Sequence, residues 1–476
     1  MFKYRKLTYI AVGCACLTYT ACKIPELAET PAINNVPASF NGSGDTVSTA
    51  SISWKAFFAD PDLAALIDTA LLHNQELNIA QWEIEMARNE VRARKGEYLP
   101  SVGLRAGAGV EKVGRYTSQG ANDANTEIKE GKEMPEPLGD FMVGAFASWE
   151  VDIWHKLRNA KKAAAARYLA SVEGRNFAVT HLIAEIATSY YELLALDKQL
   201  EIVDQNIAIQ GNALSVVKLQ KEATRVTELA VRKFEAEVLR TQSLRFDILQ
   251  RIVETENRMG LLTGRYPSHV PRNSRQFGAV VASVSGGIPS AMLANRPDIR
   301  EAELKLVAAK LDVKSARAQF YPSLGITAGV GYRAFNPSYL IKTPASLLYS
   351  LAGDLAAPLV NRNGIKAAYL NANAKQIQTV YEYERTILNA YVEVVNQLSK
   401  IANLEKRYDL QSKQVEALTQ SIAISNDLFA SARADYMEVL MTQRDALESR
   451  FELVETQLQQ LQAVVSAYRA LGGGWK

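Results

Sequence analysis

The residues of this 476-residue chain that could do chemistry are few and badly placed for catalysis. His73, His155, His181 and His269 stand far apart, with no pair at helical spacing to grip a metal. The three cysteines, Cys14, Cys16 and Cys22, all fall within the first 22 residues. Beyond its first residue, a processed chain would have no disulfide and no thiol chemistry. Neither a Gly-rich phosphate loop nor a GxSxG element occurs. No catalytic, metal or organic cofactor site is therefore expected, and the role should be non-enzymatic. Two kinds of candidate remain. One is a cysteine placed for lipid attachment. The other is a set of charged residues near expected helix turns: Asp197 and Asp204, then Glu405, Lys406, Arg407 and Asp409.

The cysteines lie in or at the end of a targeting segment. Lys3, Arg5 and Lys6 precede a short apolar stretch, Leu7–Ala21, too short to span a bilayer. Residues 1–21 read as a signal peptide. Cys22, preceded by Ala21 and followed by Lys23, resembles a bacterial lipoprotein cleavage site, although Tyr19 is unusual three places upstream. Cys14, after Ala11-Val12-Gly13, fits the local pattern but leaves too short an apolar region; Cys16 is the other alternative. Cys22 is the expected lipidation site, carrying a diacylglycerol and an N-acyl chain. Two or more chains anchor stably where one does not. The formal charge of +3 equals the leader's three cations, which leaves the remainder neutral. Neutrality argues against nucleic acid as a partner. No later run reaches ~18 uninterrupted apolar residues, so no transmembrane helix is expected.

The elements that must position these residues are duplicated. Residues 98–109 read YLPSVGLRAGAG and residues 320–331 read FYPSLGITAGVG; Pro100 and Pro322 are 222 residues apart. Residues 22–61, rich in Pro, Asn, Ser and Gly, read as a lipidated tether without a core. Asp60-Pro61-Asp62 then opens a helix that continues to Tyr98. The first repeat covers 62–262, with strands near 101–112 and 140–153 and a helical hairpin over 155–262. A linker follows at 263–291. The second repeat covers 292–471, with strands near 323–334 and 346–359 and a hairpin over 365–471; residues 472–476 form the tail. From Ile365 to Leu471 there is neither Pro nor Gly. Turns near 197–206 and 401–409 would divide each hairpin into two helices of about 50 residues, roughly 75–80 Å each. Such helices do not belong to a compact core and imply a coiled-coil-like assembly.

The strands alternate. Val102, Leu104, Ala106, Ala108 and Val110 share one face, with small or polar residues opposite. A single such hairpin would suit a sheet covered by helices on one face. Four such strands suit a membrane barrel, with Trp149, Trp154, Tyr332 and Tyr349 as the interfacial aromatic girdle. Four strands cannot close, and open edges are forbidden in lipid. Two copies would give eight strands and three would give twelve. The physical reading is a duct through an outer membrane that continues into the periplasm.

The phrases Trp54–Leu63 (WKAFFADPDL), His73–Leu77 (HNQEL), Ala147–Trp154 (ASWEVDIW), Asn295–Glu303 (NRPDIREAE), Ala316–Ser323 (ARAQFYPS) and Tyr436–Arg444 (YMEVLMTQR) together resemble the TolC-type outer-membrane factors. The branch is that of the lipoproteins serving resistance–nodulation–division (RND) efflux pumps. The resemblance implies a mainly α chain with a transmembrane β part and two tandem repeats. It implies a homotrimer sharing a 12-stranded barrel continued by a long α-helical barrel. The helix tips would dock to a periplasmic membrane-fusion adaptor and an inner-membrane RND pump. Outer-membrane lipids would surround the strands, and drugs or other small toxic compounds would pass. His155, where the family usually has Gly, and Pro358-Leu-Val-Asn361 depart from the pattern at strand exits. Arg296, Pro297 and Asp298 read as a helix start. Pro100 and Pro322 read as helix stops that redirect the chain into strands. The family has a periplasmic gate, and rings of Asp409, Arg407, Asp204 and Asp197 are candidates for it. The alternatives are the exit duct of a type I secretion system and, in a different class, a lipid-anchored periplasmic coiled-coil scaffold.

Overall fold

The duplicated phrase lies at two helix-to-strand junctions, and the elements around it repeat. Helices α1 (Pro61–His73) and α2 (Gln75–Tyr98) lead into strand β1 (Ser101–Glu111). Strand β2 (Leu138–Val151) leads into helices α3 (Lys156–Glu222) and α4 (Glu228–Leu262). In the second half, α5 (Pro297–Ala318) leads into β3 (Ser323–Ala334), and β4 (Leu347–Ala356) leads into α6 (Asn363–Ala430) and α7 (Tyr436–Ala470). These elements belong to a computed structural model that describes residues 24–32, 36–40, 48–273, 277–278, 284–431 and 433–475. The expected signal peptide and all three cysteines, including Cys22, lie outside the described residues. The chain divides into two compact units. One comprises the segment to Ala32, Glu85–Leu169 and Leu304–Tyr381; the other comprises Ile33–Ile84, Ala170–Glu303 and Glu382–Lys476.

The first unit holds a four-stranded antiparallel sheet in the order β1-β2-β3-β4. Its register fixes the faces, because directly opposed residues point the same way. Leu104 lies opposite Ala145, Ala145 opposite Val330, and Val330 opposite Tyr349. Most apolar positions of the four strands thus share one face, with Met142, Phe146 and Leu348 on the other. The other face carries Gly, Ser, Thr and the Arg333–Asp140 ion pair at 2.6 Å. Here Gly144 and Gly331 oppose each other. A Cβ on Gly331 would lie 2.5 Å from the Val143 carbonyl oxygen, so no larger residue fits without shifting the strands.

β2 and β4 each lead through a short turn into a long helix. β2 stops at Val151 because the buried Asp152 carboxylate turns to accept hydrogen bonds from the backbone N–H groups of Leu157 (3.0 Å) and Arg158 (2.9 Å), capping α3. His155 and Asn361 follow at the two exits with φ of 60° and 53°, the left-handed region. This explains the family's glycine at the first exit. Asn and His are the side chains that best tolerate the region after Gly. His155→Gly is expected to stabilise the fold by about 1 kcal/mol, read as a higher thermal midpoint; an unchanged or lower midpoint would mean that the turn carries no strain.

The second unit is helical. Its core joins Leu63, Ile67 and Ala70 of α1 to Ile183, Ile186, Tyr190 and Leu193 of α3, Ile248, Ile252 and Met259 of α4, and Val465 and Tyr468 of α7. Asp60 caps α1, accepting from the N–H groups of Asp62 (2.9 Å) and Leu63 (3.3 Å), and also accepts from the Tyr190 hydroxyl at 2.9 Å.

The hairpin turns differ from expectation. α3 runs 67 residues and α4 35; α6 runs 68 and α7 35. The chain reverses at 223–227 and 431–435, not near 197–206 and 401–409. The charged clusters at the expected turns interrupt no helix. The two real turns are copies 208 residues apart. The Arg225 N–H donates to the Gln220 carbonyl (2.9 Å) and the Arg433 N–H to that of Leu428 (2.8 Å). These six-to-one hydrogen bonds are of the Schellman type that closes a helix C-terminus.

The helix pieces also meet end to end. Asn74 caps α2 by accepting from the Leu77 N–H (3.0 Å), and its amide donates to the Leu262 carbonyl at the end of α4 (3.0 Å). Arg296, 222 residues later, precedes α5 and donates to the Ala470 carbonyl at the end of α7 (2.7 Å). Each half therefore joins a 35-residue helix to a shorter one through a single polar side chain.

Candidate functional site

The face that could act is the apolar side of the sheet. Leu104 is 87 % exposed and Leu351 80 %, and Val102, Val110, Val330, Tyr349 and Leu355 are exposed beside them. An apolar patch of this extent is not left to water. The aromatic residues sort by level along the strands. Trp149 opposes Ile326 near the helical end, whereas Tyr332 lies six residues further along β3. At about 3.3 Å per residue the interval is roughly 20 Å, close to the ~25 Å apolar band of outer-membrane barrels. Trp154 stacks on Tyr321 (4.7 Å between centroids), and its indole N–H donates to the Pro322 carbonyl at 2.8 Å. The Trp149 indole N–H donates to the Tyr98 carbonyl at 3.1 Å. Pro100 and Pro322 stand where α2 and α5 give way to strands, and the tryptophans satisfy the carbonyls freed there.

β1 and β4 are the sheet's outer strands, and each has one unpaired edge. Among the described residues no helix is long and apolar enough to cross a membrane.

Arg296, Pro297 and Asp298 form the junction that holds α5 to α7. Arg296 is buried, 6 % exposed, and its guanidinium lies 2.8 Å from Asp298 and 2.9 Å from Glu393. Burial works against its charge, but the two carboxylates outweigh burial and hold the pKa above the usual arginine value. Arg469 reaches the other oxygen of Glu393 at 2.6 Å.

The four candidate gate residues are not at the turns and do not come together. Asp197, Asp204 and Asp409 lie in helix interiors, roughly 30–40 Å along the axis from the reversals. Asp197 holds Arg272 of the linker at 2.6 and 2.9 Å. Asp204 pairs with Arg245 of α4 at 2.8 Å. Asp409 pairs with Lys413 one turn along α6 at 2.8 Å, and Arg407 is exposed on the same helix. The residues that do stand at the first reversal include Arg225 and the Lys221–Glu228 and Arg232–Glu228 ion pairs. At the second they include Arg433 and Asp435.

Arg272 also reaches Glu256 at 2.6 Å. Burial raises the Glu256 pKa, but Arg272 and the Val270 N–H overcome it and leave the value lowered. A lowered carboxylate contributes stability above its unfolded value, about 4.3, and loses it as the pH falls through the folded value. Arg272→Met should therefore destabilise the protein at neutral pH and flatten the acid limb of a thermal-midpoint profile; an unchanged limb would remove this clamp from the acid response.

Comparisons with known proteins agree with this geometry. The family model described as outer membrane efflux protein matches residues 66–265 and 288–473. The solvent efflux pump outer membrane protein SrpC of Pseudomonas putida is 28 % identical, over 92 % of this chain and 91 % of the relative. The probable outer membrane lipoprotein SilC of Salmonella typhimurium is 27 % identical over the full length of both. The solved structure of CusC superposes with a TM-score of 0.82 at 24 % identity, covering 95 % of this chain and 99 % of that one. The open-state MtrE channel of Neisseria gonorrhoeae gives 0.81 at 24 %, covering 96 % and 99 %. The fold is TolC-like.

Proposed function

The chain belongs to the outer membrane efflux protein family, and from that premise we propose how it builds a conduit and with what. It is the outer-membrane channel of an RND-type efflux pump, located in the outer membrane and extending into the periplasm. The continuous exposed apolar face of an open four-stranded sheet is the observation that carries the mechanism. Lipid excludes unpaired strand edges, so β1 of one copy pairs with β4 of the next, and three copies close a 12-stranded barrel. The small and polar face then lines the lumen. Export is passive; the chain supplies a wall, and the partner supplies the energy. SrpC is named for solvent efflux and CusC for cation efflux. Small toxic compounds are the cargo class we assign here, delivered by the inner-membrane pump through a periplasmic adaptor that meets the turns at 223–227 and 431–435. This geometry favours the efflux duct over a periplasmic scaffold, which has no use for an exposed apolar sheet face.

The helices support the same assembly. Leu239, Phe246 and Val253 form an exposed heptad stripe on α4, and Leu388, Val392, Leu410 and Ile424 are exposed on α6. In a ring of copies these outer helices meet. Cysteines scanned along β1 and β4 are expected to give a covalent trimer under oxidation; monomers or dimers alone at every register would exclude the shared barrel.

The lipid anchor is assigned to Cys22. Ile24 and Leu27 pack with Val313, Phe320 and Tyr369, and the Ala28 carbonyl accepts from the Asn373 amide at 3.3 Å. Phe320 stands three residues before β3, so the tether is held beside the helix-to-strand junction, at the level where an acyl chain enters the bilayer. Cys22→Ala should remove the added lipid mass on the mature chain; a lipidated variant would move the anchor to Cys14 or Cys16.

A further inference from the structure

The seam between α3 and α7 is apolar above and below one level and polar at that level. Toward the linker, Ala195 and Ile202 of α3 pack with Leu447, Val454 and Leu458 of α7. Toward the turns, Val217 of α3 packs with Val439 of α7, and with Ala230, Val231 and Phe234 of α4. The helices run antiparallel, so the stretch of α3 between these clusters faces that of α7. Asn206 and Gln210 lie in this stretch of α3, and Gln443 in that of α7. All three are buried, Gln210 to 1 % and Gln443 to 2 % exposure. Their side-chain atoms Asn206 Oδ1, both polar atoms of Gln210 and both of Gln443 have no hydrogen-bond partner in the described structure.

A rigid, dry seam does not keep so many unsatisfied polar groups. Packing is also nearly all-or-none, so an interrupted seam divides into separately packing segments. We propose that this polar layer is a hinge. It uncouples the small apolar cluster at the turns from the longer core, so that the turn-proximal helix ends repack while the rest of the hairpins stay fixed. The inference rests on the channel reading: repacking at the turns would change the width of the duct's periplasmic end.

The test is the double variant Gln210→Leu/Gln443→Leu in the full-length protein, reconstituted in a planar bilayer. Making the seam continuous is expected to raise the thermal midpoint by several degrees. It should lower the open fraction about tenfold, the effect of a modest bias in a two-state equilibrium, and increase drug sensitivity in cells. Higher stability with unchanged conductance and unchanged sensitivity would overturn the hinge. Hydrogen exchange on the unmodified protein provides a second measurement should the variant misfold. Amides of 213–221 and 436–442 should exchange much faster than those of 195–203 and 451–458. Uniform protection across the layer would also overturn the hinge. Failure of the unmodified protein to conduct would instead reject the channel reading.

Discussion

Leu351→Arg is expected to abolish stable insertion of the channel, whereas Ser350→Arg, its neighbour on the same strand, leaves a working protein. The two residues differ by one position and therefore by one face. Leu351 opposes Ala328 within the exposed apolar face; Ser350 opposes Gly329 on the small-residue face. An arginine on the lipid side near the bilayer midplane costs about 2–4 kcal/mol, and the assembly would bear that cost once per copy. An arginine in a water-filled lumen bears no such cost and only alters the charge that a passing molecule meets. The measurement is the amount of heat-modifiable oligomer in the outer-membrane fraction, with drug sensitivity of the cells as a second readout. Equal tolerance of both changes would mean that the apolar face does not touch lipid.

Arg296→Met is expected to destabilise the helical unit by about 3–5 kcal/mol, the usual effect of removing one partner from a buried ion pair. The change would leave Asp298 and Glu393 without their common cation and the Ala470 carbonyl without its donor. Asn74 does the same task in the first half as a neutral amide. Asn74→Ala should cost about 1–2 kcal/mol, as for a lost helix cap. The ordering of the two effects is the informative outcome, read as thermal midpoints of the purified oligomer. Adding Asp298→Asn to Arg296→Met should recover part of the loss, because it removes a carboxylate left without its cation, whereas Glu393 keeps Arg469. Equal midpoints for Asn74→Ala and Arg296→Met would show that the junction depends on shape rather than on charge.

Strands and helix starts were legible in the residues because their signals are local. Alternation over Val102–Val110 and the break at Pro100 both report on neighbours in sequence. Asp60-Pro61 and Pro297-Asp298 announce helix starts through ordinary N-terminal chemistry. The hairpin turns are hard to place from the residues because neither contains proline or glycine. The charged clusters at 197–204 and 405–409 lie in helix interiors, whereas Asp435 holds the N-terminal position just before Tyr436-Met-Glu438 and Arg225 and Arg433 repeat at the two turns. The 208-residue spacing of those arginines was a usable signal. The end-to-end helix junctions were harder to foresee. Asn74 and Arg296 share the 222-residue spacing of the prolines, but amide and guanidinium are different chemistries for one geometric task. Likewise the left-handed backbone at His155 and Asn361 is visible only in three dimensions, although both positions stood out as departures from a familiar pattern. Asp197 shows the reverse case: an acid that looked available for a gate is held by Arg272 of the linker.

The most direct test of a shared barrel is conductance measured on material of known mass. Purified full-length protein, chemically crosslinked and then reconstituted in a planar bilayer, should run at three times the chain mass and pass ions in discrete single-channel steps. A crosslinked species of monomer mass that leaves the bilayer silent would contradict the channel.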